Sequence, residues 1–183
     1  MDGDAEVNSL LNLNWLYIDQ EGVLWEIGKK GKVFRYDQIH DCFSLVYKLP
    51  MESFSEQPDP VTYAWLDQNK HIWLCNKDTI FLYNTDTKQV THIKNDISEE
   101  ITDIEQIDES HFFIGTERGI HYAQLENHAL KLINCDKLES VKAQVSDLHF
   151  DKKIRKLFIG TFLRGIMVYD MNTKSVIRPD YNL

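Results

Sequence analysis

No apolar run in this 183-residue chain approaches the roughly 20 residues that a membrane-crossing helix needs, so no direct membrane insertion of this segment is expected. Positive charge is also short: 20 Lys and Arg stand against 29 Asp and Glu, a net charge of −9. Nucleic-acid binders carry a basic patch that displaces counterions from phosphate. Nothing here supplies one, which excludes nucleic acid as a partner and disfavours an anionic membrane surface. Cysteine is scarce and odd in number: Cys42, Cys75 and Cys135 show no CxxC spacing. A closed disulfide framework is thereby excluded, and three buried or half-buried thiols are expected. The first residues, "MDGDAEVNSL", contain neither a basic n-region nor an apolar h-region, so no signal peptide is expected in them.

Catalytic signatures are missing as well. No HExxH, GxSxG, GxGxxG or P-loop occurs. "GKKG", Gly28 to Gly31, is two residues short of a phosphate cradle and fits better as a turn. The seven histidines, His40, His71, His92, His111, His121, His128 and His149, form no recognised metal spacing with carboxylates. Seven Asp and Glu lie between Asp96 and Glu109 without an EF-hand pattern, and read as a solvated loop and strand edge. The chain is therefore expected to be non-enzymatic, with no catalytic residue, no metal ligand and no cofactor.

What the sequence does contain is a repeat. "SHFFIGTERGI", Ser110 to Ile120, returns as "RKLFIGTFLRGI", Arg155 to Ile166. Aligned on that phrase, four segments share one order of marks. Asp19, Asp67, Asp108 and Asp151 close a first hydrophobic run; these positions lie 48, 41 and 43 residues apart. Trp25, Trp73, Phe113 and Phe158 follow five to seven residues later, then a turn that usually holds Gly, then a stretch with Tyr36, Tyr83, Tyr122 or Tyr169. Each run is short, rich in Val, Ile, Phe, Tyr and Trp, and bounded by Gly, Asn or Asp. "DQEG", "DQNK", "DESH" and "DKKI" read as hairpin turns in which Asp bonds its own backbone two residues on. "FSLVY", "QVTHI", "LKLIN" and "SVIRP" supply a fourth strand to each unit. No 3.6-residue periodicity runs long enough for a helix.

A period of roughly 40–50 residues built of short strands points to propeller blades rather than helical solenoids. The expected fold is all-β: a propeller-type array of four four-stranded antiparallel blades. Residues 1–183 form one segment, with blades near 12–49, 61–95, 101–135 and 144–180. The repeat Gly allows a tight turn with positive φ between second and third strands. The repeat Trp or Phe is expected to fill the seam between neighbouring blades.

"FIGTERGI" and "LFIGTFLRGIMVYD" resemble the two-component regulator propeller repeat. "VLWEIGKKGKVFRYD" is similar with its Gly-Thr pair altered, and "HIWLCNKDTIFLYN" keeps the Trp and Tyr but has lost both glycines. The resemblance implies a fragment of about four blades, an open arc or part of a larger, seven-bladed propeller, from the periplasmic sensor region of a hybrid two-component system of Bacteroidetes, regulators that detect glycan fragments. It implies a non-catalytic ligand-recognition role in signal transduction and an oligosaccharide ligand. An open arc of four blades would leave the apolar faces of its end blades bare, so self-association through exposed blade faces, or pairing with the remaining blades of a full-length sensor, is expected. A propeller scaffold gripping a protein is the alternative, and a propeller lyase or hydrolase a further one.

Turns between second and third strands should gather on one face of such an array. They carry Lys29 and Lys30, Lys77, Glu117 with Arg118, and Phe162 with Arg164. Lys30, Lys77, Arg118 and Arg164 are the candidate ligand-binding cations, since Arg grips a carboxylate or sulfate with paired hydrogen bonds. Tyr17, Trp65, Gln106 and His149 lie two residues before each repeat Asp and are candidate channel-lining residues; among them Trp65 joins the ligand-binding set.

Overall fold

A computed structural model describes residues 13–28, 30–49, 61–127, 129–135 and 137–180. Lys29, His128 and the opening ten residues, each read above, lie outside the described residues. Sixteen strands form four antiparallel sheets of four. The first holds β1 (Leu13–Ile18), β2 (Leu24–Gly28), β3 (Lys32–Asp37) and β4 (Cys42–Lys48). The second holds β5 (Tyr63–Leu66), β6 (His71–Cys75), β7 (Thr79–Asn84) and β8 (Val90–Lys94). The third holds β9 (Ile101–Gln106), β10 (His111–Thr116), β11 (Ile120–Glu126) and β12 (Ala129–Ile133), and the fourth β13 (Val145–Asp151), β14 (Lys156–Thr161), β15 (Gly165–Asp170) and β16 (Ser175–Ile177). In each sheet the strands pair in chain order. No α-helix occurs among the described residues; a single 3-10 turn spans Leu138–Ser140.

Two compact units result. One takes the residues up to Asn76 together with Ile80–Val90, the other Lys77–Thr79 together with Thr91 onward. In the first unit, the face of the first sheet carrying Trp25, Ile27 and Val33 packs on Ala64, Ile72, Leu74 and Tyr83 of the second. Tyr47 stacks on Tyr83 with ring centroids 4.8 Å apart. The Tyr17 hydroxyl donates to the Ala64 carbonyl at 2.6 Å, so even the polar end of this seam is bonded. In the second unit, Phe113 meets Phe150 at 6.0 Å and Tyr169 at 6.2 Å, both edge-on, beside fully buried Leu157 and Ile159. Each large apolar side chain taken out of water this way contributes about 1.5–3 kcal/mol.

The middle strands read as the sequence suggests. β6 and β10 are buried on both faces from their second residue on, as continuous apolar runs require. Trp25, Trp73 and Phe113 are core. Phe158 departs from this and is only half-buried. It sits on the last of the four sheets, and no later sheet among the described residues packs on it. Instead its ring stacks on His149, 6.4 Å away. Cys42 also departs: it is exposed at the start of β4, while Cys75 is buried and Cys135 half-buried.

The glycines fall into two kinds. Gly31 and Gly165 do adopt positive φ, +66° and +72°. Gly115 and Gly119, which the sequence pattern assigned to the same use, do not. They are there for space: a Cβ on Gly115 would lie 2.6 Å from Val145 Cγ1, and one on Gly119 would lie 2.8 Å from the Val141 carbonyl oxygen.

Candidate functional site

The repeat Asp residues build the hairpins between first and second strands. Asp19 accepts the backbone N–H groups of Glu21 and Val23 and the Trp25 indole N–H, the last at 2.8 Å. Asp67 accepts Asn69 N–H, His71 N–H and the Trp73 indole at 2.9 Å. In the third sheet Phe113 has no indole N–H to offer, and the His111 ring takes that place, 2.9 Å from Asp108 Oδ1. Asp151 accepts only backbone N–H groups, from Lys153 and Ile154. Burial raises the carboxyls of Asp19 and Asp108, but these donors outweigh it and hold both below the ordinary aspartate value. His71 also bridges: its Nδ1 faces Asp67 at 3.2 Å, while Nε2 lies 3.2 Å from the Asn84 amide nitrogen. Asp67 favours a protonated His71, yet protonating Nε2 would forfeit the bond from Asn84. These two strand-start histidines serve the turn, as surface strand residues would.

Outer hairpins repeat the device. Asp37, Asn84 and Asp170 each accept the N–H groups two and three residues on. Asp41, Lys88 and Lys174 then close those turns with positive φ.

The candidate cations take corresponding places. Lys30, Lys77, Arg118 and Arg164 are all exposed in the loops that join second to third strands. Lys30 belongs to the first unit and the other three to the second. Each side chain stands on its own turn, built by its own neighbours. Thr116 Oγ1 accepts the Arg118 and Gly119 N–H groups at 3.3 and 3.1 Å, fixing the base of Arg118. Asn95 Nδ2 donates to the Lys77 carbonyl. Arg164 follows Phe162 and Leu163, both exposed, with Leu163 at φ +64°. Arg118 differs in bordering a cavity of about 550 Å³.

The second candidate set divides. Trp65 is half-buried, its ring edge-on to Trp73 at 5.8 Å. Tyr17 is committed to Ala64, and Gln106 is buried with its amide donating to the Asp108 carbonyl at 2.9 Å. Both hold their own structure together through these bonds. His149 alone of the set is largely exposed, at 71% of its side chain.

Two residues of the acidic stretch do something the sequence did not disclose. Asp103 Oδ2 accepts the Leu148 N–H at 2.6 Å, and Glu105 Oε1 accepts the Phe150 N–H at 2.7 Å. These carboxylates satisfy β13 backbone donors across the seam between third and fourth sheets, a use unlike a solvated edge. Burial raises the Glu105 carboxyl above its ordinary value, the Phe150 bond opposing. Among the described residues no group of three or more His, Cys, Asp and Glu is placed to hold a metal ion, and no helix is long and apolar enough to cross a membrane.

No family model and no curated protein sequence matches the chain. Solved structures do. The chain is similar to the extracellular domain of BT4673 from B. thetaiotaomicron, described in one structure as a hybrid two-component system: 16% identity, TM-score 0.60, covering 81% of this chain and 19% of that one. A second structure of that extracellular domain, described as a one-component system, gives 15% identity and TM-score 0.64 over 92% of this chain and 22% of that one. The β-propeller domain of Myceliophteria thermophila Cps50 (Swd1) gives 13% identity and TM-score 0.64 over 91% and 54%. The chain thus spans about a fifth of the BT4673 domain and about half of the Cps50 domain. These likenesses show the fold: the four sheets are β-propeller blades.

Proposed function

We propose that this chain is a non-catalytic ligand-recognition segment from the extracytoplasmic sensor of a hybrid two-component signalling regulator, and that its ligand is a glycan. The observation that carries this reading is the repeated Phe-Ile-Gly-Thr and Arg-Gly-Ile phrase. It occupies the same strand–turn–strand place in the third and fourth sheets, β10–β11 and β14–β15. The likeness of the blades to the BT4673 extracellular domain supports it. In this reading the segment is periplasmic, and each unit offers its own ligand-binding residues to an oligosaccharide: Lys30 with Trp65 as an aromatic contact in the first, and the turn cations Lys77, Arg118 and Arg164 in the second. Occupancy alters signalling only through a difference in affinity between two arrangements of the full sensor.

A thermal-shift screen of the chain against acidic and neutral oligosaccharides tests the proposal. At least one acidic oligosaccharide should raise the melting temperature, with the shift reduced in Arg118→Ala and Arg164→Ala. No shift with any saccharide sinks the sensor reading; a shift indifferent to both substitutions removes the turn cations from it.

A second partner follows from the first sheet. Leu16, Ile18, Phe43 and Leu45 are exposed on β1 and β4, and apolar surface of this kind favours association. In this reading it meets a further blade of the same type, from a longer chain or a second copy. Sedimentation measurements check this: a chain that stays monomeric at high concentration counts against the second-copy form.

A further inference from the structure

The third strand of three sheets sets an apolar residue at one repeat place. Phe34 stands opposite Glu26, Phe81 opposite Leu74, and Met167 opposite Ile159. In the third sheet that place is taken by His121, opposite Ile114. A partly exposed histidine where packing takes an apolar side chain gives up burial, and such departures from a local rule gather at functional sites.

The surroundings of His121 are equally particular. β12 ends at Ile133, in register with Tyr122, so the first residues of β11 have no outer strand beside them. The chain instead turns through Leu138–Ser140 and carries the Val141 carbonyl over Gly119, an approach only glycine admits. Between this crossing segment and β11 lies the cavity of about 550 Å³, walled by Glu99, Thr116, Arg118, His121, Glu139 and Lys142. A second cavity of about 230 Å³ adjoins it, sharing Ile120, His121 and Glu139. Together they fall within the roughly 300–1,000 Å³ of small-molecule sites. Glu99 Oε2 lies 3.4 Å from His121 Nε2, and both side chains retain some exposure, 21% and 29%.

The donor set selects a ligand class. Arg118 and Lys142 offer cationic donors suited to a carboxylate. Glu139 and the Glu99–His121 pair offer acceptors and a donor suited to hydroxyls. A ligand without an acidic group leaves the two cations unpaired, and one without hydroxyls leaves the carboxylates so. We infer that this cleft binds a uronic-acid residue, with its carboxylate between Arg118 and Lys142 and its hydroxyls toward Glu139 and the Glu99–His121 pair. The inference deepens the sensor reading, on which it rests for the ligand being a saccharide, by naming the sugar class and the subsite.

The test is a ¹H–¹⁵N NMR titration of the chain with glucuronate, with glucose as the neutral control. Glucuronate should shift the amides of 116–121 and 139–142, and glucose should not. Binding should weaken about tenfold or more in Lys142→Ala and in His121→Met, which imports the residue of the fourth sheet and so keeps the fold. Lys153→Ala, at an exposed cation of the β13–β14 hairpin, should leave it unchanged. An absence of shifts at those amides, or equal binding by both cleft variants, overturns the inference. An oligosaccharide thermal shift that survives both cleft variants overturns it too while leaving the sensor reading intact. Glucuronate bound in the cleft with no oligosaccharide shift upholds the cleft and sinks the sensor reading.

Discussion

The indole N–H of Trp73 donates to Asp67 Oδ2 at 2.9 Å, and both partners are buried. The repeat thus ties its turn to its core through one bond, and Trp25 does the same to Asp19. Trp73→Phe keeps most of the ring but leaves a buried carboxylate oxygen short of a donor. A loss of about 1–3 kcal/mol is expected, against about 3–5 kcal/mol for Trp73→Ala, which also opens a cavity. Urea unfolding followed by circular dichroism measures both; a Phe variant as stable as the parent would dismiss the bond as idle.

Stability should fall in acid. Donors hold Asp19 and Asp108 below the ordinary aspartate value of 3.8, so the folded state binds their protons less readily than the unfolded chain does. What these groups contribute is present above that ordinary value and is lost as pH falls through their depressed values. Melting temperature measured from pH 7 to pH 2 should show this decline, and Asp19→Asn should make it shallower while costing about 1 kcal/mol at neutral pH.

Gly119→Ala is expected to destabilise more than Gly22→Ala. At Gly119 the added methyl meets a backbone carbonyl 2.8 Å away, which cannot rotate aside; overpacking of this kind costs about 1–3 kcal/mol. At Gly22 nothing lies within 4 Å, and the cost is only that of a left-handed backbone at φ +79°, about 1–2 kcal/mol. Chemical denaturation of the two variants side by side decides the order.

Asp103→Ala should release the Leu148 amide. That N–H now ends on Asp103 Oδ2 at 2.6 Å. Hydrogen exchange at Leu148 should accelerate while Phe150, bonded to Glu105, stays slower. Glu105→Gln keeps an acceptor for Phe150. Because burial raises the Glu105 carboxyl, its contribution is present below the ordinary value of 4.5 and lost as pH rises through the raised one. The Gln variant should therefore gain on the parent as pH climbs from 4 to 7.

Much of the fold was legible in the sequence because the repeat states it four times over. Asp, aromatic, turn and Tyr fix where strands begin and end by local chemistry, and local chemistry is what a sequence displays. Sheet seams were less legible. Nothing in "ITDIEQIDES" says that Asp103 and Glu105 reach backbone donors 45 residues later, because that depends on how two sheets stack. Gly115 and Gly119 misled for the same reason: a glycine kept for space and one kept for φ are spelled alike. The candidate cations were read correctly onto the second-to-third-strand turns. The cleft beside Arg118 was not foreseen, since its far wall, Leu138 to Lys142, lies in an inter-blade segment outside the repeat. His121 was the available signal, as the lone polar residue in an otherwise apolar repeat column.

In every sheet the hydrogen-bonding order follows chain order, so no strand waits for a partner from a distant stretch of gene. An unequal crossover between two copies of the shared phrase would add or delete one period of DNA and, with it, one whole sheet in register. Lineages carrying this motif can change the number of blades in single genetic events. Selection then has only the newly made junction to refit.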